Sequence, residues 1–452
     1  MIAGRNLQLW KNQAVSRWQT RSLSVSARSA EQEKLPFSIY IHWPYCESKC
    51  TYCNFNKYVN PEEPPVERLT ASMIRELDHY LTHPSFGLRD RPIHSVYFGG
   101  GTPSLAPAST IEKLLNTIDT HVRLRPNTEI TLEANPTSIE TAKLLDFRKA
   151  GVNRLSMGIQ SFNDRDLKLL GRDHTASESI RSLATARKIF DAQGLTFDLI
   201  FARPGQTLSD WQQELKQGLD IAGNHLSLYQ LSMERSTPLD KLARKGLLPP
   251  LPTPDEAADM YEDTIRLTKE HGFQHYEVSN YCKTQAAISR HNFAYWQGLD
   301  FLGIGPGAHG RLTMLDQRRF RTFGEFHPEK YMALCEQEGE GIRQMKAIDS
   351  AAFMEELIVF GLRTRMGVGR ATFEQLTGGM SLDKMLNKEA LSACIEAGFL
   401  ISDNQCIDVS RMAKYSPEEF LSQWLPRGGI RPTEAGLARM DSILPNILNT
   451  TL

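Results

Sequence analysis

An α/β fold built on a parallel sheet is what the sequence predicts, and three observations predict it. Short β-branched or aromatic runs alternate with longer amphipathic stretches between residues 37 and 232. Six such β-then-α units follow one another, which implies right-handed crossovers and function at the strand C-termini. Glycines, prolines and polar residues recur where those strands end. Six units are too few to complete an eight-fold barrel.

The expected strands are 37–42, 94–98, 129–133, 154–160, 195–200 and 225–232. The expected helices are 64–81, 111–122, 138–150, 177–192 and 211–222. The first of these places Leu69, Met73, Ile74, Leu77 and Tyr80 on one side. Beyond Arg311 the character changes. Residues 311–345 read as a connection, basic at 317–321, with a helix at 328–336. Residues 346–450 read as a small α-rich domain with helices at 351–363, 373–376 and 383–397. A hairpin of 398–401 with 406–409 and a last helix over 431–447 complete it.

Composition narrows the function classes. The chain of 452 residues is 40% hydrophobic and 23% charged, ordinary values for a globular protein. A net charge of −1 gives no reason to expect nucleic acid as a partner. No apolar run is long enough to span a bilayer, so no transmembrane segment is expected. Seven cysteines in no even framework argue against a disulfide-stapled secreted protein. Residues 1–30 contain Arg5, Lys11, Arg17, Arg21 and Arg28, many hydroxyls and no acid before Glu31. That is the composition of a mitochondrial transit peptide; a basic disordered tail is the alternative.

The densest chemistry lies just after the first strand. Cys46, Cys50 and Cys53 are spaced C-x3-C-x2-C, so one tight loop can aim three thiolates at three corners of a four-iron cluster. Closed clusters use four cysteines, and tetrahedral structural zinc also wants four ligands, so the open corner is the informative feature. A zinc site with a remote fourth ligand, or disulfides, would satisfy the same spacing.

With Tyr40 six residues before Cys46 and Tyr52 immediately before Cys53, the motif resembles the radical S-adenosylmethionine (SAM) superfamily. The resemblance implies a partial (β/α)6 TIM-like barrel over 34–310, with a 4Fe-4S cluster whose open iron chelates SAM. Its reduction cleaves SAM to a 5′-deoxyadenosyl radical. Gly99, Gly100, Gly101 and Thr102 are similar to the segment that holds the SAM amino group; as a bare run they could equally be a tight turn. Glu133, Gln160, Arg172 and Asp198 match SAM-contacting positions, and Tyr40 and Tyr52 belong to the same cofactor set. Without the resemblance they read as solvated strand ends or salt bridges.

Later segments resemble the HemW haem-chaperone branch, related to the oxygen-independent coproporphyrinogen III dehydrogenase. These are Tyr276 to Asn280 (YEVSN), His291 to Trp296 (HNFAYW) and Gly303 to His309 (GIGPGAH). The run from Asp198 to Gln206, DLIFARPGQ, resembles the family's D-L-x-x-G-L-P-G-Q, with Ala202 and Arg203 replacing Gly-Leu. That departure bears on the loop's geometry, because alanine tolerates a positive φ poorly. The decarboxylating branch carries a further cysteine two residues after the third ligand; here that residue is Phe55. The resemblance makes His291 the haem contact, an imidazole being a standard axial ligand, with His309 secondary; a structural histidine is the alternative. His42 is expected to pack beside the cluster. The C-terminal part resembles HemW's winged-helix-like domain, a lid or docking element with no basic patch for DNA. Cys282, Cys335, Cys394 and Cys406 read as unpaired bystanders.

The resemblance therefore implies a mitochondrial haem chaperone, in the matrix or at the inner-membrane periphery. It would bind haem and deliver it to a recipient, respiratory haemoprotein, with homodimerisation left open and no coproporphyrinogen dehydrogenase activity. The alternative is an enzyme that oxidatively decarboxylates coproporphyrinogen III.

Overall fold

The six sequence-predicted strands form the centre of one sheet in the computed structural model, which describes residues 35–59, 63–403, 412–424 and 427–448. The expected transit peptide and the hairpin arm 406–409, with Cys406, lie outside the described residues. The strands are β1 (Phe37–Trp43), β2 (Ile93–Gly100), β3 (Glu129–Ala134), β4 (Arg154–Gln160), β5 (Leu195–Phe201) and β6 (His225–Gln230). They are mutually parallel in that order, with helices Val66–Thr82, Ala108–His121, Ser138–Lys149, Ala176–Ala186 and Leu208–Ile221 as crossovers. This is the partial (β/α)6 barrel that the sequence predicts.

A period of two runs through these strands. Ile39, Ile41, Val96, Phe98, Leu132, Leu155, Met157, Phe197 and Leu199 are buried in one apolar core with Leu69, Met73, Leu77 and Leu114 of the helices. The alternate positions, Ser38, Tyr40, Ser95, Tyr97, Thr131, Glu133, Ser156 and Asp198, are polar. Ser95 Oγ donates to Ser38 Oγ at 2.9 Å, and Tyr97 Oη donates to Glu133 Oε1 at 2.7 Å. Strict alternation thus gives an apolar outer face for the helices and a polar lumen.

The sheet continues beyond these units. On the β6 side lie β7 (Gln274–Glu277) and β8 (Asn280–Cys282), both antiparallel, with β7 outermost. On the other side β9 (Asp300–Ile304) runs parallel beside β1. It is followed by antiparallel β10 (His309–Thr313), β11 (Arg319–Gly324) and β12 (Ile342–Ile348). The stretch 311–345 is therefore part of the sheet, and the helix expected at 328–336 is present as Pro328–Glu338 between its last two strands. Its basic residues are partners in folded structure: Arg319 binds buried Asp300 at 2.9 Å, as Arg91 does at 2.7 Å.

The floor of the barrel, where the strands begin, is closed by helix Arg290–Trp296. Glu129 at the start of β3 accepts from the backbone N–H groups of Arg290 and His291, each at 3.0 Å. Phe420 lies against Phe293 and His94, with ring centroids 5.0 and 5.2 Å apart, so residues 418–424 cover the helix.

The C-terminal part has its own core around Leu357, Ile358, Phe373, Leu400, Ile430 and Leu444. Its helices Ser350–Gly361, Arg370–Leu376 and Lys388–Glu396 accompany a three-stranded antiparallel sheet of Val368–Gly369, Gly429–Pro432 and Leu400–Asp403. The expected last helix begins instead as a strand, because buried Ile430 pairs with both Val368 and Ser402. Helices Glu434–Leu437 and Met440–Ile447 follow. Among the described residues no helix is long and apolar enough to cross a membrane.

Candidate cofactor site at the barrel mouth

The C-terminal ends of β2 to β5 and the loop after β1 surround a cleft with about 780 Å³ of atom-free space, part of it open to solvent. Cys46, Cys50, Tyr52 and Cys53 line it from the loop, and Gly100, Gly101 and Thr102 from the end of β2. Glu133, Gln160 and Asp198 reach it from β3, β4 and β5, and Arg172 from the segment after helix Asp164–Leu169. The residues expected from sequence thus meet in one place, with Tyr40 and His291 outside the lining.

Close backbone approach explains the glycines. Gly100 has φ 108°, and a Cβ there would lie 2.6 Å from the His42 ring. A Cβ on Gly101 would lie 2.6 Å from the Tyr45 carbonyl oxygen. Gly101 N–H donates to Trp43 O at 2.7 Å and Thr102 N–H to Tyr45 O at 2.8 Å, pinning this segment to the chain entering Cys46. Side chains at these positions would push the two apart.

The cysteine loop is tied down at three points. Thr51 donates its hydroxyl to Leu169 O at 2.8 Å and its N–H to Leu170 O at 3.0 Å. Arg172 donates to Cys50 Sγ at 3.2 Å, to Gly158 O at 2.9 Å and to Asn135 Oδ1. After the third cysteine, His42 Nε2 donates to Asn56 O at 2.8 Å, so Nδ1 accepts from Tyr40 Oη at 3.2 Å. Asn56 in turn donates to Pro306 O and Phe326 O, and a Cβ on Gly307 would lie 2.3 Å from its Nδ2. The GIGPGAH segment is accordingly a clamp on the cysteine loop.

Burial sets the charges here. It pushes the Cys46 thiol up, opposed by a hydrogen bond with Thr102. It raises Glu133 to about 7 against the hydrogen bond from Tyr97, and the neighbouring Asp198 charge raises it further. Asp198 is raised to about 6 by burial, opposed by Ser227 and Arg172. Two carboxyls that share one cleft and resist ionising together suit a cationic ligand, which would favour their charged forms.

Tyr40 sits one layer below the cleft, its ring 6.2 Å from those of Tyr97 and His291. His291 is on the floor helix, its ring 4.6 Å from Tyr97 and Nδ1 3.2 Å from Ser95 Oγ. Burial lowers it to about 3, so its imidazole is neutral. Asn135, Ser156 and Tyr97 were not singled out from sequence. Asn135 donates to Thr102 Oγ1 at 3.3 Å and accepts from Arg172; Ser156 lines the cleft. Tyr97 and Ser156 occupy inward positions of the two-residue period, the signal that could have found them.

The Ala202–Arg203 departure has a clear outcome. Ala202 adopts φ 58° despite its side chain. Arg203 is only 1% exposed and binds Asp166 at 2.9 Å together with Glu214. Glu214 also accepts from Ser161 Oγ at 2.6 Å and Phe162 N–H at 2.7 Å, just after Gln160, whose φ is 68°. Asp166 lies on the helix whose end grips Thr51 and leads to Arg172. The arginine therefore anchors the strained turn at Gln160 and the support of Arg172 together.

These residues fit a cluster with a bound SAM. Three thiols share one wall, while no three His, Cys, Asp or Glu side chains among the described residues gather closely enough for a single ion. One ligand per iron of a multi-iron cluster is the arrangement such spacing serves. Among the described residues Arg172 Nε, buried beside the cleft, has no partner.

Comparison with known proteins places the chain. The radical SAM superfamily model matches residues 40–217, and the HemN C-terminal domain model matches 348–415. The zebrafish (Danio rerio) protein named radical S-adenosyl methionine domain-containing protein 1, mitochondrial, is 37% identical, over 94% of this chain and 91% of its own. The chain belongs to that radical SAM family. Heme chaperone HemW of Escherichia coli is 32% identical over 84% of this chain and 95% of its own. The solved coproporphyrinogen III oxidase HemN of E. coli superposes with a TM-score of 0.70 over 92% of this chain and 91% of that one. At 20% identity that match shows a common fold. Membership of the superfamily implies a 4Fe-4S cluster and SAM as cofactors.

Proposed function

We propose that this protein is a mitochondrial haem chaperone on a radical SAM scaffold. It binds haem and delivers it to a recipient haemoprotein, with cluster state or SAM occupancy controlling transfer. The observation that carries this reading is Phe55. It stands 64% exposed on the lining of the cleft, where the decarboxylating branch has a further cysteine. The cleft therefore keeps its SAM-contact set and lacks that thiol. The names of relatives support the same reading: heme chaperone for HemW, and mitochondrial for the zebrafish protein.

In this reading Cys46, Cys50 and Cys53 hold the cluster. Tyr52, Gly100, Gly101, Thr102, Glu133, Gln160, Arg172 and Asp198, which line the cleft, would hold SAM, with the carboxyls and Arg172 suited to its opposite charges. When bound and reduced, the cluster supplies the electron that cleaves SAM to a radical. Haem is assigned to His291. Its neutral imidazole is the ligating form, and coordination requires the floor helix to draw His291 away from the Tyr40 and Tyr97 rings it stacks on. The intact cleft favours a second reading, oxidative decarboxylation of a porphyrinogen.

A Soret-band haem titration of wild type and His291→Ala tests the proposal. One haem per chain, with a spectrum altered by the substitution, is expected. An unaltered mutant spectrum would discard His291, and absence of saturable binding would discard the chaperone. Protoporphyrinogen formed from coproporphyrinogen III under anaerobic conditions would establish the second reading. Import into isolated mitochondria with cleavage before Glu31 tests the location.

A further inference from the structure

A second cavity, with about 580 Å³ of atom-free space, lies between the edge strand β7 and the C-terminal part, away from the cysteine cleft. Lys269, at the end of helix Pro254–Glu270, and His275 of β7 line it from the barrel side. Arg365, Lys414, Tyr415 and Glu434 line it from the other. Among the described residues three cations meet one carboxylate there, which leaves two positive charges without a counter-charge in the cavity. Glu434 is divided between Lys269 at 3.3 Å and Arg365 at 3.8 Å.

Arg365 makes the shortfall costly. It is 8% exposed, its guanidinium lies 4.5 Å over the Tyr415 ring, and its carboxylate contact is longer than a hydrogen bond. Among the described residues its Nε is buried without a partner. Buried polar atoms are almost always satisfied, and a buried cation without close compensation is among the least favourable groups in a fold. An orphan guanidinium donor beside a void where three cations meet one carboxylate points to a ligand that supplies acceptors and negative charge. Burial lowers the Arg365 pKa, the direction expected when compensation is missing.

We propose that this cavity binds a small doubly charged oxyanion, a phosphate or a dicarboxylate, held by Arg365, Lys269 and Lys414. The site is independent of the haem reading. Because Lys269 belongs to the barrel and Arg365 and Lys414 to the C-terminal part, the anion ties the two together. Lys414 lies six residues before Phe420, which covers the floor helix, so occupancy would also tighten the floor.

The test is calorimetric titration of the full-length protein with inorganic phosphate and, separately, with succinate, in a chloride buffer of fixed ionic strength. Saturable binding of at least one probe, near one per chain, is expected. The K269A/K414A double variant, which changes two exposed side chains, should weaken it at least about tenfold, as loss of charge-assisted hydrogen bonds does. R365Q should weaken it further; should that variant fail to fold, the lysine pair decides. Hydrogen exchange over 412–424 should slow with the bound probe in wild type and not in the double variant. Binding of one probe alone assigns the class. Absence of saturable binding by both probes, or undiminished binding by K269A/K414A, overturns the proposal.

Discussion

At the mouth of the barrel Cys46, Cys50, Cys53, Glu133, Arg172 and Asp198 face about 780 Å³ of atom-free space. At the floor of the same strands, His291 stacks on Tyr97, Glu129 caps the helix that carries it, and Phe420 lies over Phe293. Glu133 and Asp198 at the mouth, and Glu129 and Tyr97 toward the floor, share the inward positions of one two-residue period. The two ends differ in what lies beside their polar groups. Among the described residues both ends keep buried atoms without partners, His94 Nε2 and Arg154 Nη2 at the floor and Arg172 Nε at the mouth, but the mouth sets its own beside open space and two carboxyls that resist ionising. Unsatisfied polarity beside open space marks a binding site; polarity packed under aromatic cover marks a seal.

The largest effect that could break this contrast is on iron. Changing Cys46, Cys50 and Cys53 to alanine should reduce iron to background after anaerobic reconstitution, while His291→Ala should retain the wild-type iron content. Iron loss in His291→Ala would couple floor and mouth in a way the contacts do not.

Next comes the support behind the mouth. Arg203→Leu restores the family's residue yet leaves Asp166 and Glu214 buried and uncompensated. It should cost about 3–5 kcal/mol of stability, as removing one partner of a buried ion pair does. Adding Asp166→Asn and Glu214→Gln should recover part of that loss. Denaturant unfolding of the single and triple variants checks both, and an unaffected single variant would deny the anchor.

Proton linkage gives a smaller effect. Burial raises Glu133 to about 7, so the folded state binds its proton more tightly than the unfolded state does. That carboxyl's contribution to stability is therefore fully present below its unfolded pKa and is lost as pH rises to about 7. Glu133→Gln should flatten the fall in stability between pH 5 and pH 8. Glu76 and Glu277, also raised to about 7 by burial, keep their own share. Identical urea midpoints against pH for variant and wild type would contradict this. The smallest effect is at Ala202, whose φ of 58° disfavours a side chain. Ala202→Gly should stabilise by up to about 1 kcal/mol, read as a raised urea midpoint.

Much of this architecture was legible in the sequence, for identifiable reasons. The six strands declare themselves because each is a short apolar run closed by glycine, proline or polar residues. The cysteines and the glycine segment declare themselves by spacing. β9 was missed because Phe301, Leu302 and Ile304 sit among the glycines of a loop-like stretch. β10 to β12 were missed because arginines such as Arg319 resemble linker charge until their buried partner Asp300 is seen. The place of His291 could not be read locally at all. Its helix is fixed by Glu129, 162 residues earlier in the chain. The Ala202–Arg203 departure likewise acquires its meaning only from Asp166 and Glu214, which come from other elements.

The most direct test of the central claim is electron paramagnetic resonance of the reconstituted, reduced protein with and without SAM. A four-iron signal whose g-values shift on adding SAM is the result predicted by three cysteine ligands and an open iron at the barrel mouth. A four-iron signal indifferent to saturating SAM would contradict it.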